Sequence, residues 1–386
     1  MTTAKTQPVH DETFLPPAVS PWGETWRLLR KNRMALLGLI TFVVFFIAAL
    51  IGVILTSGHS PVLDPAQIRL QEKLLPPLSK PNVEVLLPEE RPELGIYLMG
   101  TDDLGRDVFA RMLQGAWVSL TVGFVAVAIA VTIGILMGGI AGYYGQEPIS
   151  LLRILLVVVI GVILFFVIMK TISGGLLLAA GFAAAWFFYR RHAHGSQKGR
   201  SHRKGWIFWP IMSVDTLIMR AVDIMLCFPS FFLILTVVAL LPASLYNIMI
   251  VIGLTSWMGT TRFVRAEFLS LREQDFVAAA RALGISDMRI IFRHIMPNAV
   301  APVLVSATLG IASAMLTEAG LSFLGFGVPP PHATWGNILS DGKDFIFDAP
   351  WLTFAPGIAI LIVVLAFNLF GEGLRDILNP RLRKRI

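Results

Sequence analysis

Charge is scarce in this chain, and cysteine nearly absent. Asp, Glu, Lys and Arg together make up 15% of its 386 residues, against about a quarter in soluble globular proteins. Meanwhile 55% of the residues are hydrophobic. That combination argues against an ordinary soluble enzyme, because so much apolar surface could not be hidden from water. It excludes a disordered chain, which needs low hydrophobicity and high charge. The single cysteine, Cys227, excludes an intramolecular disulfide and a cysteine-based zinc site. It lies in an apolar run and is expected to be a small buried hydrophobe.

Signatures of catalysis are missing too. No GxSxG, HExxH or paired-carboxylate arrangement occurs. The nearest approach to a phosphate-binding loop, Gly195 to Ser201, is one residue short and carries Arg200 in place of lysine. The chain is therefore expected to bind no ATP, cofactor or metal of its own and not to be an enzyme. His192, His194 and His202 lack an accompanying carboxylate or cysteine, so their stretch reads as a solvated basic loop. Ionisable residues inside apolar runs are few: Arg220, Asp223, Glu318 and Glu372. An ion-coupled transporter carries charges nearer the bilayer midplane. These four read instead as interfacial, paired residues.

What the chain does have is long apolar runs. Residues 1–33 are polar and precede an uncharged run over 34–55. At 1.5 Å per residue that run crosses a hydrocarbon core of about 30 Å. It is long for the core of a signal peptide, and reads as an uncleaved first span. Residues 56–111 are polar, proline-rich and more acidic than basic, and are expected to form a small extracytoplasmic lobe. The 112–145 segment holds the second span, Val118–Ala141. Its Gly134, Gly138 and Gly142 recur every four residues, a face on which another helix can approach closely. Segment 146–212 holds two further runs, Ile154–Met169 and Ile172–Phe188, followed by the basic stretch Arg190–Gly205. Segment 213–370 supplies Val222–Leu241, with Pro229 expected to kink it, then Ile248–Gly259, Ala299–Ala319 and Trp351–Leu369. Residues 371–386 are a basic tail. The fold expected is an all-α polytopic membrane protein of about eight spans.

The net charge of +7 in a soluble protein would suggest nucleic acid. Here it is an orientation signal. The N-terminus, the Arg190–Gly205 loop, the Thr260–Asn298 loop and the tail hold 22 of the 32 Lys and Arg residues. Eight spans with the N-terminus inside put all four segments in the cytoplasm, as the positive-inside rule requires.

One cytoplasmic loop, 262–298, is the most informative stretch. Asp275 to Gly284 predicts a short helix ended by glycine. On it Phe276, Ala279, Ala280 and Leu283 share a face. A second amphipathic stretch, Ser286–Met296, is expected to stop at Pro297. Periodicity alone would allow a plain surface loop helix.

Ala278-Ala279-Ala280-Arg281-Ala282-Leu283-Gly284, followed by His294-Ile295-Met296-Pro297-Asn298, resembles the cytoplasmic EAA loop of ABC importer permeases. Arg265 to Gln274, Gly100 to Phe109, Leu321 to Gly327 and Trp335-Gly336-Asn337 resemble the dipeptide/oligopeptide/nickel branch. The first span, with Arg27 to Arg33 before it, resembles the "C"-type permease of that branch. The resemblance implies a six-helix type I permease core in a bacterial inner membrane, with both termini cytoplasmic. It implies ATP-driven import of peptides or related small solutes. The implied partners are a homologous second permease, two ATPase subunits and a solute-binding protein, with membrane lipid around them and no nucleic acid. Ala278, Ala279, Ala280, Arg281, Gly284, Asp287 and Pro297 would be the ATPase-coupling residues. The competing reading is a stand-alone secondary transporter or channel.

Two departures stand out. Where the family carries its glutamate, this chain has Ala278, so any salt bridge from that position is absent. And some 65 residues, about Gln146 to Met212, separate Tyr143-Tyr144-Gly145 from Val214 to Arg220. They read as an inserted two-helix hairpin, whose even span number keeps everything downstream in its expected orientation. Its basic loop could lie on anionic lipid.

Overall fold

The computed structural model describes residues 21–58, 61–145, 147–150 and 210–378. The expected hairpin over 154–188, the basic loop with its three histidines and the end of the tail lie outside these residues.

The described chain is built of helices: α1 (Pro21–Lys31), α2 (Arg33–Thr56), α3 (Val108–Tyr144), α4 (Val214–Leu226), α5 (Ser230–Leu240), α6 (Leu245–Thr255), α7 (Trp257–Arg272), α8 (Asp275–Ala282), α9 (Asp287–Ile290), α10 (Met296–Phe323), α11 (Trp335–Gly342) and α12 (Trp351–Leu378). Four helical segments are long and apolar enough to cross a membrane: Arg33–Thr56, Val108–Tyr144, Pro302–Phe323 and Trp351–Leu378. Their outward residues are apolar, among them Leu37, Ile40, Val44, Ile47 and Ile51 of α2, as a lipid-facing surface requires.

The remaining expected spans of the core are less regular. The expected Val222–Leu241 span falls on a bent pair of helices, α4 and α5, turned by 80°. The break holds Cys227, Phe228 and Pro229, where the missing proline amide ends the helical ladder. Cys227 caps α4 and is exposed; the expectation of burial is corrected, because the bend turns this position outward. In place of Ile248–Gly259, the 11-residue α6 ends at Thr255. Its length of about 17 Å is short for a bilayer crossing. The helix resumes after Ser256 as the more polar α7.

Two compact units partition the chain. The first comprises residues up to Ala128, Ile234–Gly253 and from Ala301 onward. Here α2 and α12 pack closely: a Cβ placed on Gly38 would lie 2.7 Å from the Ala366 carbonyl oxygen. Phe42, Phe124 and Phe367 join α2, α3 and α12 with ring centroids 5.0 to 6.2 Å apart. Residues 61–107 carry only two 3-10 turns, Leu70–Glu72 and Pro88–Glu90, as expected of a proline-rich segment. Buried Glu72 organises this lobe, accepting hydrogen bonds from the Tyr97 hydroxyl and the Asn82 amide.

The second unit comprises Ile129–Leu233 and Leu254–Val300. Gly134, Gly138 and Gly142 of α3 meet α7 here, as their spacing predicts. A Cβ on Gly134 would lie 2.6 Å from the Thr260 side chain, and one on Gly138 2.6 Å from the Thr261 carbonyl oxygen. No side chain fits at either position, so the glycines set the closeness of the two helices. Pro148–Ser150 and Pro210–Ser213 pair as antiparallel strands, Pro148 opposite Ser213 and Ile149 opposite Met212. The pairing brings Ser150 opposite Pro210.

Candidate functional site

The 262–298 loop lies within the second unit. Its short helix α8 begins with Asp275, whose carboxylate suits a helix N-terminus. It ends in a Schellman motif: the Ile285 amide donates to the Ala280 carbonyl at 3.1 Å, and the Gly284 amide to Arg281 at 2.9 Å. Gly284 has φ +73° with open space around it. Backbone conformation, and not room, therefore asks for glycine there.

Val277 and Ala280 are buried, and so is Ile290 of α9. Phe276, Ala278, Ala279 and Leu283 are exposed, with Leu283 79% accessible. The predicted stripe of Phe276, Ala279, Ala280 and Leu283 is thus mostly an outward face. Met288 and Phe292 are further exposed apolar residues in this loop. Arg281, Arg289 and Arg293 stand among these exposed apolar residues, so the surface of the loop is mixed in character.

Tyr143, at the end of α3, braces this loop. Its hydroxyl donates to Asp287 Oδ1 at 2.6 Å. The Arg281 guanidinium lies over its ring, 5.3 Å from the centroid. Its carbonyl accepts from Arg272 Nη1 at 3.1 Å. Both charged residues expected at the coupling site are therefore engaged within the chain by one tyrosine. Sequence reasoning assigned Tyr143 no role; its one signal was a polar-tipped aromatic at the end of an apolar run. Arg265 adds a two-pronged pair with Asp215 of α4, and this pairing holds the guanidinium further above its usual pKa. Asp223 pairs with Arg262 at 2.6 Å, both exposed.

Pro297 is exposed in the first turn of α10. The expected stop before it is corrected. Residues Ile291–Ile295 form a wide π turn, closed by the Met296 amide on the Ile291 carbonyl, and helix continues through Pro297. Within a continuous helix proline withholds one amide from the ladder and crowds the preceding turn, and the wide turn just before it is where that irregularity is taken up.

The other motifs meet in the first unit. Asp102, fully buried, accepts the Leu104 and Arg106 amides at 2.9 Å, Arg106 Nε at 2.7 Å and an Arg111 nitrogen. Asp341 of α11 bridges the same arginines, at 2.8 Å from Arg111 and 3.2 Å from Arg106. The Trp335 indole donates to the Met112 carbonyl at 3.1 Å, and the Trp351 indole to Thr101 at 3.3 Å. The block from Gly100 to Phe109 thus clamps the lobe to α11 and α12. Burial raises the carboxyl pKa of Asp103, helped by Asp102 and Asp341, and burial raises that of Asp107 against two backbone hydrogen bonds. Glu318 is 1% exposed and accepts hydrogen bonds from Ser322 at 2.7 Å and Ser119 at 3.4 Å. Glu372 is exposed on α12, 4.0 Å from Arg375. No cluster of three His, Cys, Asp or Glu suited to a metal occurs among the described residues.

A family profile described as binding-protein-dependent transport system inner membrane component matches residues 211–384, including α8 and its glycine cap. A second, described as the N-terminal TM domain of oligopeptide transport permease C, matches residues 20–77. Over nearly its whole length the chain is 37% identical to the dipeptide transport system permease protein DppC of Alkalihalophilus pseudofirmus, covering 95% of this chain and 92% of the relative. The chain belongs to this family of inner-membrane transport components. It is also 31% identical to the di/tripeptide transport system permease protein DppC of Pseudomonas aeruginosa, with 97% of each covered. The oligopeptide transport system permease protein OppC of Bacillus subtilis is 30% identical over 95% of this chain and 92% of its own length. As a binding-protein-dependent permease component, the chain is a multi-pass inner-membrane protein that works within a multi-subunit transport system.

Proposed function

We propose that this chain is one of two permease subunits of an ATP-driven importer for di- or oligopeptides. A homologous permease completes the pathway, two ATPase subunits drive it, and a solute-binding protein delivers peptide to the outer face. Both termini and the 262–298 loop are cytoplasmic, in keeping with the concentration of Lys and Arg in those segments. The observation that carries the reading is α8, a capped helix whose outward face is Phe276, Ala279 and Leu283. This face enters a groove on an ATPase. Ala278 and Ala279 give it a smooth surface, Gly284 ends it, and Arg281 and Asp287 hold it to Tyr143. Movement of the ATPase is then carried through Tyr143 into α3. Pro297 begins the helix that returns the chain to the membrane. Residues 146–212 are an accessory insert; its paired ends, Pro148–Ser150 and Pro210–Ser213, leave the surrounding core in register.

Reconstitution tests this. Proteoliposomes holding both permeases and both ATPases should import a labelled dipeptide only with ATP and the binding protein present. Import by this chain alone would overturn the proposal.

A further inference from the structure

Helix α1 is tied to the level at which α2 enters the membrane. The uncharged run of α2 begins at Met34, directly after Arg33. Its 24 residues span about 36 Å, a little more than a hydrocarbon core of about 30 Å, so Arg33 stands at headgroup level. Only Asn32 separates α2 from α1. It is extended, with φ −85° and ψ 98°, and accepts the Ala35 amide at 3.2 Å. Leu29 of α1 is buried against Ala35 in the first turn of α2 and Ile377 in the last turn of α12, with Leu28 and Phe370 beside them. No side chain would fit on Gly373 of α12 against Ala35. This packing holds α1 at the membrane boundary and turns its two leucines inward.

The opposite arc carries the charge. Trp26, Arg27, Arg30 and Lys31 fall within about 140° of helix surface, facing away from Leu28 and Leu29. All four are exposed, as is Arg33. The Arg30 guanidinium lies over the Trp26 ring, 5.1 Å from its centroid. Stacked in this way it keeps its N–H edge for an acceptor. Residues 21–33 hold four cations against the single acid Glu24. None of the four makes an ion pair among the described residues, while Glu372 and Asp376 of α12 lie 4.0 and 3.9 Å from Arg375. Guanidinium groups pair with phosphate oxygens, and an indole seats well at headgroup level. A basic face with an aromatic in it, fixed at the edge of a span, suits an anionic lipid surface better than a water-borne acidic protein.

We infer that the outward face of α1 binds anionic phospholipid, with Arg27, Arg30, Lys31 and Arg33 on headgroup phosphates and Trp26 at the interface. The inference rests on α2 crossing the membrane and not on the import reading. Its test measures protection of α1 by lipid and not transport.

Hydrogen exchange of the full chain is followed at residues 26–31 in nanodiscs of phosphatidylcholine or of phosphatidylglycerol. Exchange should be at least about fivefold slower in phosphatidylglycerol, the effect of one cation at an anionic surface. The difference should vanish in the triple variant Arg27→Gln, Arg30→Gln, Lys31→Gln. All three side chains are exposed, so folding should hold, and unchanged exchange in α2 and α12 checks that it does. Should the triple variant not fold, Lys31→Gln alone decides, with the difference between the lipids reduced. Inorganic phosphate added to phosphatidylcholine nanodiscs should leave exchange unchanged. Equal exchange in the two lipids would overturn the inference, as would protection by inorganic phosphate matching that by phosphatidylglycerol. So would lipid-dependent protection unaltered in the variants, the result expected if these cations meet an acidic protein instead.

Discussion

Tyr143 donates a 2.6 Å hydrogen bond to Asp287 across 144 positions of sequence. One end of that bond closes a long membrane helix, and the other opens the short helix that follows the glycine cap of α8. Force applied to α8 therefore has a short polar route into α3, reinforced by Arg281 over the same ring.

Tyr143→Phe keeps the ring and removes the hydroxyl. We expect a stability loss of about 1 kcal/mol, typical of one hydrogen bond, concentrated in the loop. Hydrogen exchange should speed up at residues 275–290 while α2 and α12 remain protected. Asp287→Asn should have a smaller effect, since its amide oxygen can still accept the bond.

Gly284 makes a sharper test of the cap. Its φ of +73° with nothing within 4 Å means that strain, and not crowding, opposes a side chain. Gly284→Val should cost about 1–2 kcal/mol or more, because a β-branched residue strongly resists this conformation. Gly284→Asn should cost less, asparagine entering the left-handed region more readily. Thermal unfolding in detergent should rank the three as glycine, asparagine, valine. Equal midpoints would remove the cap from the account.

Crowding rules at the α3–α7 crossing. Gly138→Leu forces a side chain against the Thr261 carbonyl and Val264. The overpacking should cost about 1–3 kcal/mol. Gly139→Ala, whose new methyl would meet the Phe268 ring edge at 3.2 Å, should cost much less. The same unfolding measurement separates them.

Asp107 gives the lobe a pH dependence of defined sign. Its carboxyl pKa in the folded chain is raised by burial. Between the ordinary carboxylate range and this raised value, the folded state binds more protons than the unfolded one. Stability should therefore rise as pH falls through that window, flatten below the ordinary range, and be lowest above the raised value. Asp107→Asn retains an acceptor for the Phe109 and Ala110 amides and should abolish this contribution. Unfolding midpoints followed upward from the ordinary carboxylate range, about pH 4, would show it.

Features governed by local chemistry were legible in the sequence. Apolar runs marked the helices of the first unit, the Gly134, Gly138 and Gly142 repeat marked a close crossing, and Gly284 marked the end of α8. Hydropathy could not separate one span from a bent pair, because Phe228 and Pro229 sit inside a run that stays apolar throughout. It misjudged Cys227 for the same reason: composition records how apolar a segment is, not which way a bend turns it. The face of α8 was also hidden. Val277 and Ala280 on one side are as apolar as Phe276 and Leu283 on the other, and only packing chooses between them. Pro297 looked like a stop because a π turn leaves no signature in residue spacing. The Tyr143–Asp287 bond and the Asp102–Arg111–Asp341 clamp join residues far apart in sequence, beyond the reach of any local pattern.

The central claim is that the exposed face of α8 docks an ATPase, and Leu283, 79% accessible, tests it most directly. Leu283→Lys leaves the buried side of α8 untouched and puts a cation at the helix C-terminus, where it is tolerated, so the chain should fold and insert with an unchanged unfolding midpoint. When this variant and its partner permease are purified together with the tagged ATPases, the account predicts that ATPase recovery falls at least tenfold, as befits loss of a well-buried apolar anchor. Recovery equal to that of the unaltered chain, with the variant properly folded, would contradict it.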